Sequence, residues 1–211
     1  MKIAVLGAES TGKTELTRAL AAHFKATGRS FTLVPEVLRE WCVATGRVPV
    51  ASEQLAIAQE QARRADASTA DVLITDTAPL MIAVYSDMLF HDLSLYAMAL
   101  THQHCYDVTL VTGIDLPWVA DGLRDGPHAQ EPADKLVRAA LTRARIDYKV
   151  IYGTGPERLR NALMAIDATL TPRQQINSDP TWSCDQCSDP ECEHRLFTGL
   201  LRSKAAGHPG S

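Results

Sequence analysis

Residues 3 to 14 read Ile-Ala-Val-Leu-Gly-Ala-Glu-Ser-Thr-Gly-Lys-Thr, an apolar run leading straight into Gly7-x4-Gly12-Lys13-Thr14. No other feature constrains the fold as much. Two glycines at that spacing let the backbone turn tightly and aim its N–H groups inward, which makes a cradle for phosphate. Lys13 can then reach the outer phosphates, and the Thr14 hydroxyl can ligate Mg²⁺. A helix must follow, because its positive N-terminal end faces the same anion. Leu16, Ala19, Leu20, His23 and Phe24 keep helical spacing until Gly28 offers a stop. The loop Gly7, Ala8, Glu9, Ser10, Thr11, Gly12, Lys13, Thr14 and Glu15 is therefore expected to bind ATP with Mg²⁺.

The chain beyond the loop supplies the sheet that such a loop needs. Short, nearly continuous apolar runs at 31–34, 71–76, 106–111 and 148–152 read as strands. Helical patterns separate them, at about 36–45, 52–69 (Ser52 as N-cap), 79–90 and 93–105. Two more helices follow. One carries Leu136, Val137, Ala140, Leu141 and Ala144 on one face; the other starts at Pro156 and turns Leu159, Ala162, Leu163, Ile166 and Leu170 inward. Alternating strands and helices imply an α/β fold, a doubly wound parallel sheet covered on both faces. From Thr171 the pattern gives way to Pro, Ser, Asp and Cys. Residues 1–170 are thus expected to form one P-loop nucleoside-kinase-like domain, and 171–211 an irregular tail.

Composition narrows the partners. A net charge of −4 gives no global footprint for nucleic acid, so none is expected as a partner. No apolar run approaches a membrane span, and the N-terminal apolar stretch is too short for a signal-peptide core. A cytoplasmic location is expected. Cys42 and Cys105 stand alone in apolar contexts and are expected to be buried and inert.

Ligands of open parallel sheets bind at the carboxyl ends of strands. Asp76 ends the third strand, where a carboxylate can hold Mg²⁺ or accept the proton of an attacking hydroxyl; alternatively Asp76 or Thr77 caps the next helix. Glu36, Arg39 and Glu40 share a helix face after the second strand, either as a polar acceptor pocket or as a surface salt-bridge trio. Trp118-Val-Ala-Asp121-Gly122-Leu-Arg124 occupies an irregular stretch after the fourth strand. Arg124, beyond the Asp-Gly turn, is expected to swing over the phosphates, or else is an exposed loop arginine. Gly153-Thr-Gly155-Pro-Glu-Arg158 follows the last strand, as a nucleobase platform or a plain strand-to-helix turn. His102 and His104, two apart on a helix, point in different directions and make a poor metal site. In the tail, Cys184-x2-Cys187-x4-Cys192-x-His194 supplies four soft ligands, enough for a structural Zn²⁺, with thiol chemistry or no role as the alternatives.

Taken together, Gly-x-Glu-Ser-x-Gly-Lys-Thr, Glu36-x-x-Arg39-Glu40, Asp76-Thr77 and Trp118-Val-x-Asp121-Gly122-x-Arg124 resemble the ribosylnicotinamide kinase domain of the bacterial NadR proteins, also described as NadR-like ATPases. The resemblance covers about residues 1 to 170. It implies transfer of the ATP γ-phosphate to the 5′-hydroxyl of nicotinamide riboside, a step of NAD salvage. In that frame Lys13 and Thr14 serve phosphate and Mg²⁺, Asp76 metal or base, and Arg124 the lid. Glu36, Arg39, Glu40, Trp118 and Asp121 are expected around the acceptor. Two family aromatics that sandwich the nicotinamide correspond here to Pro35 and Ala65, so stacking on both faces is expected to be lost and nicotinamide riboside to bind weakly. A second expectation stays open, a nucleotide-dependent ATPase switch acting on a protein partner.

Overall fold

The computed structural model describes residues 1–119 and 126–171. Asp121 and Arg124, and the tail residues Cys184, Cys187, Cys192 and His194, lie outside the described residues.

Among the described residues five strands form one all-parallel sheet: β1 (Lys2–Leu6), β2 (Phe31–Val34), β3 (Val72–Asp76), β4 (Val108–Thr112) and β5 (Lys149–Ile151), in the order β2-β3-β1-β4-β5. Among the described residues seven α-helices connect and cover them: α1 (Lys13–Ala26), α2 (Val37–Thr45), α3 (Ala51–Asp66), α4 (Pro79–Phe90), α5 (Tyr96–Gln103), α6 (Gln130–Arg143) and α7 (Gly155–Leu170). Strand side chains alternate between faces, so each strand feeds two cores. Ile3 and Val5 of β1 pack with Leu16, Leu20 and Phe24 of α1 and with Ala162 and Ile166 of α7. Ala4 and Leu6 pack on the opposite face with α3, α4 and α6.

α4 departs from the amphipathic rule. Every residue from Pro79 to Ser86 is buried, because α4 is enclosed by α3, α5 and α6 as well as the sheet. Truncating a fully enclosed side chain there, such as Leu80, should cost about 2–5 kcal/mol.

Element ends differ from expectation in ways with physical causes. α3 starts at Ala51 with Val50 as N-cap, not Ser52; the Glu53 carboxylate returns to accept the Val50 N–H at 2.9 Å. α4 is capped by Ala78, so Asp76 is released from that role. β4 runs one residue past its expected end to Thr112, a residue that matters below. Cys42 is buried as expected, whereas Cys105 is exposed, placed beyond the end of α5.

Candidate functional site

The register places the carboxyl ends of β1 and β3 side by side, Val5 opposite Asp76. Residues 7–12 leave β1 as a loop and re-enter structure at α1. Gly7 has φ 142°, and a Cβ there would lie 2.1 Å from Thr112 Oγ1, so only glycine fits. The Thr11 and Thr112 hydroxyls lie 2.7 Å apart, with Ala8 O 2.7 Å from Thr11 and Leu6 O 3.1 Å from Thr112. This buried cluster braces the loop from β4. Gly12, at φ 78°, is the N-cap of α1, which leaves the first N–H groups of that helix pointing into the loop.

Lys13 Nζ donates to the Ala8 carbonyl at 2.8 Å, within reach of the loop's concave side. The Thr14 hydroxyl donates to Asp76 Oδ2 at 2.5 Å. Asp76 is 4% exposed, and its Oδ1 is buried without a hydrogen-bond partner. A hydroxyl and a carboxylate with a spare buried oxygen, beside a phosphate loop, form the hard-oxygen set that suits Mg²⁺. The next residue, Thr77, is 2% exposed and holds φ 76°, an uncommon state for a β-branched residue. Its N–H donates to Val5 O at 3.0 Å, which pins the β3 end to β1 in this strained conformation.

From this point a groove of about 1240 Å³ opens toward α2, α3 and α4. Lys13, Thr14 and Asp76 lie along it, together with Glu36, Arg39 and Gln54. Glu9, Ser10, Thr11, Gly12 and Glu15 line it as well. The structure thus brings the loop, Asp76 and the residues after β2 to one cavity. Glu40 also borders it, but its carboxylate is held by Arg64, which binds Glu60 at 2.8 Å; Arg63 grips the same Glu60 at 2.6 Å. That exposed network pulls the Glu60 carboxyl down to about 2, chiefly through the Arg63 hydrogen bond.

Other sequence candidates lie elsewhere. Trp118 is half-buried and does not line the groove; its segment is tied to the loop through Val119, whose N–H donates to Ser10 Oγ at 2.8 Å. Gly153 and Arg158 do not line the groove, although a Cβ at Gly12 would lie 3.2 Å from Arg158 Nη1, so that guanidinium sits against the phosphate loop. Arg158 is 4% exposed, and its Nη2 donates to Asp115 Oδ1 (2.9 Å), Ile151 O (3.2 Å) and Gly113 O (3.3 Å). The Gly153 N–H donates to Asp115 Oδ2 at 2.7 Å. The two residues clip the loop after β4 to the turn after β5, while Arg158 Nε and Nη1 stay buried without a hydrogen-bond partner among the described residues. Pro35 borders the groove, but Ala65 is 1% exposed and packs with Val34 and Leu73. The pairing of Ala65 with a stacking aromatic is therefore corrected: its side chain serves the core. Among the described residues no cluster of three or more His, Cys, Asp or Glu side chains could hold a metal.

Sequence reading missed Arg18, Gln54 and Tyr85, all in the groove wall, and Gln61 behind it. Gln54 and Gln61 carried a legible signal, two amides seven apart on an α3 stripe otherwise made of Ile57, Ala58 and Ala65. Tyr85 had none, because α4 has no polar residue on any side before Ser86 and Asp87.

A parallel sheet in this order, with a phosphate loop after β1 and a carboxylate after β3, defines a P-loop NTPase fold. The chain belongs to the family described as AAA domain, matched over residues 2–158. Its fold is similar to that of the NadR protein in complex with NAD and AMP-PNP, with a TM-score of 0.64 at 18% identity, over 84% of this chain and 51% of that one. The NadR protein in complex with NR gives a TM-score of 0.65 at 17% identity, over 80% and 50%. Deoxyadenosine kinase from M. mycoides with bound dCTP gives 0.54 at 14% identity, over 80% of this chain and 100% of that one. The chain spans about half the length of the NadR chains that it matches. No curated protein matches it. No helix among the described residues is long and apolar enough to cross a membrane.

Proposed function

We propose that the chain is an ATP-dependent phosphotransferase acting on a small nucleoside-like alcohol, with nicotinamide riboside the leading acceptor. The observation that carries this reading is the continuity of one groove from Lys13, Thr14 and Asp76 to Glu36, Arg39 and Gln54. A switch that only hydrolysed ATP would need no cavity of that size beside the γ-phosphate position. Likeness of fold to a NadR protein bound to NR and to a deoxyadenosine kinase supports it.

In this reading the loop N–H groups and the N-terminal end of α1 hold the phosphates, and Lys13 moves from Ala8 O to the outer phosphate oxygens. Mg²⁺, when bound, neutralises charge on those oxygens; Thr14 and Asp76 are the residues that would hold it. Glu36 and Arg39 hold the acceptor's hydroxyl groups. As the acceptor oxygen forms its bond to the γ-phosphorus, the bond to the β-phosphate oxygen breaks. The hydroxyl proton passes to the Asp76 carboxylate and then to solvent, and ADP leaves. Arg124 is assigned to the lid on the resemblance alone.

A coupled ADP-release assay across nucleosides, with and without acceptor, tests the reading. ADP release that requires an acceptor supports it; release at the same rate without one contradicts it.

A further inference from the structure

Three consecutive residues of the phosphate loop are gripped by residues that run from the end of β4 to the start of α6. Thr11 Oγ1 meets Thr112 Oγ1, at the end of β4, at 2.7 Å. Ser10 Oγ accepts the Val119 N–H at 2.8 Å and donates to Val119 O at 3.2 Å. Glu9 O accepts a hydrogen bond from Gln130 Nε2, at the start of α6, at 2.8 Å. The first two grips hold side chains; the third holds the main chain itself. Glu9 and Ser10 line the groove and Gln130 does not, so its amide reaches the loop from outside.

That one bond fixes the orientation of the Glu9–Ser10 peptide. In a planar trans peptide the N–H points opposite the carbonyl. With Glu9 O turned outward to Gln130, the Ser10 N–H is turned toward the concave side of the loop, where phosphate binds. The reverse orientation would present a carbonyl oxygen to the phosphates. Ser10 also shows why the orientation needs a hold. Its φ is 58°, in the left-handed region that residues other than Gly, Asn and Asp rarely take. Turning such a peptide over exchanges a positive φ for a negative one at the residue after it, the difference between type II and type I turns. Ser10 would relax by that flip, and the bond from Gln130 opposes it.

We infer that Gln130 is a positioning residue for phosphate binding: its Nε2 holds Glu9 O outward and so aims the Ser10 N–H at the triphosphate. This rests on the nucleotide-binding half of the proposed function and holds whichever acceptor fills the groove. A donor fixed before the nucleotide arrives costs no reorganisation when it binds, which is what makes such a contact effective.

The test follows the Ser10 amide proton by NMR in the full chain as Mg²⁺ and AMP-PNP, a non-hydrolysable ATP analogue, are added, with affinities measured by calorimetry. In wild type the Ser10 proton should move strongly downfield as it bonds to a phosphate oxygen. Gln130→Met, similar in length but without a donor, should lose that shift and weaken AMP-PNP binding about ten-fold. Gln130→Glu keeps the shape and replaces the donor by an acceptor. It should lose the shift too, which keeps the test alive if the methionine variant melts early. Gln130→Lys keeps a donor and should retain the shift. A role confined to tethering α6 would lower the melting temperature of the methionine and glutamate variants while the Ser10 shift persists and affinity stays within about two-fold of wild type. That result overturns the assignment. So does a wild-type Ser10 proton that AMP-PNP leaves in place, or affinities that follow the charge at position 130 with the shift unchanged. The acceptor reading fails differently: if AMP-PNP moves the Ser10 proton as expected and no acceptor stimulates ADP release, the role of Gln130 stands and the kinase falls.

Discussion

The Thr14 hydroxyl donates to Asp76 Oδ2 at 2.5 Å, joining the start of α1 to the end of β3 across 62 positions of sequence. The bond exists because β3 runs beside β1 in register, with Asp76 against Val5, and because Thr77 takes a left-handed backbone immediately afterwards. Asp76 keeps one buried oxygen without a partner, so the pair is built for a further ligand.

Asp76→Asn preserves shape and removes charge. Acceptor-dependent ADP release should fall by about 10²–10⁴-fold, the usual contribution of a positioned base, with the melting temperature changed by only a few degrees. Steady-state kinetics on the folded variant checks this. Turnover within a few-fold of wild type would remove Asp76 from the chemistry.

Lys13→Ala separates stability from chemistry. Its ammonium makes one hydrogen bond, to the Ala8 carbonyl, so the fold should lose no more than about 0.5–1.5 kcal/mol in a denaturant titration. ADP release should disappear, because nothing else in the loop carries a cation to the outer phosphates.

Gly7→Ala should destabilise the domain by about 2–4 kcal/mol, combining an unfavourable φ with the approach to Thr112 Oγ1. Thr112→Ala removes that oxygen. The double variant should therefore recover part of the loss, a coupling of about 1 kcal/mol measurable by a double-mutant cycle. Strict additivity would show that the close approach is not what excludes a side chain.

Much of this was written in the sequence. The strand-loop-helix at residues 2–26 and the carboxylate ending β3 are local patterns, read from glycine spacing and apolar runs. The direction of α4 into the site was not, because its first two turns are apolar all round and carry no face information; Tyr85 stayed hidden for that reason. Ala65 misled because correspondence along a helix does not say which way a side chain points, and here it points into the sheet. Arg158 is legible only in part: its Nη2 bonds Asp115 Oδ1, Gly113 O and Ile151 O, while its Nε and Nη1 are buried without a partner among the described residues, Nη1 beside Gly12 of the phosphate loop.

pH acts on the lip of the groove. Arg47 donates to both oxygens of Glu53, at 2.8 and 2.7 Å, and this pairing holds the Glu53 carboxyl at about 2 against an ordinary 4.5. The folded value is depressed, so the bond's contribution is complete above about 4.5 and is lost as pH falls toward 2. Carboxyl carbon shifts followed by NMR should show Glu53 titrating near 2 in wild type. In Arg47→Ala it should titrate closer to the ordinary value, though still below it because the Val50 N–H remains.

Phosphoryl transfer by this chain requires an acceptor in the groove beside the phosphate loop. Initial rates of ADP release with Mg²⁺ and ATP, measured with and without nicotinamide riboside and a panel of other nucleosides, test it in one experiment. The expected result is a slow basal rate raised at least about ten-fold by one acceptor, with a phosphorylated product equal in amount to the acceptor-dependent ADP. An ADP rate that no acceptor changes, with no phosphorylated product, would contradict it.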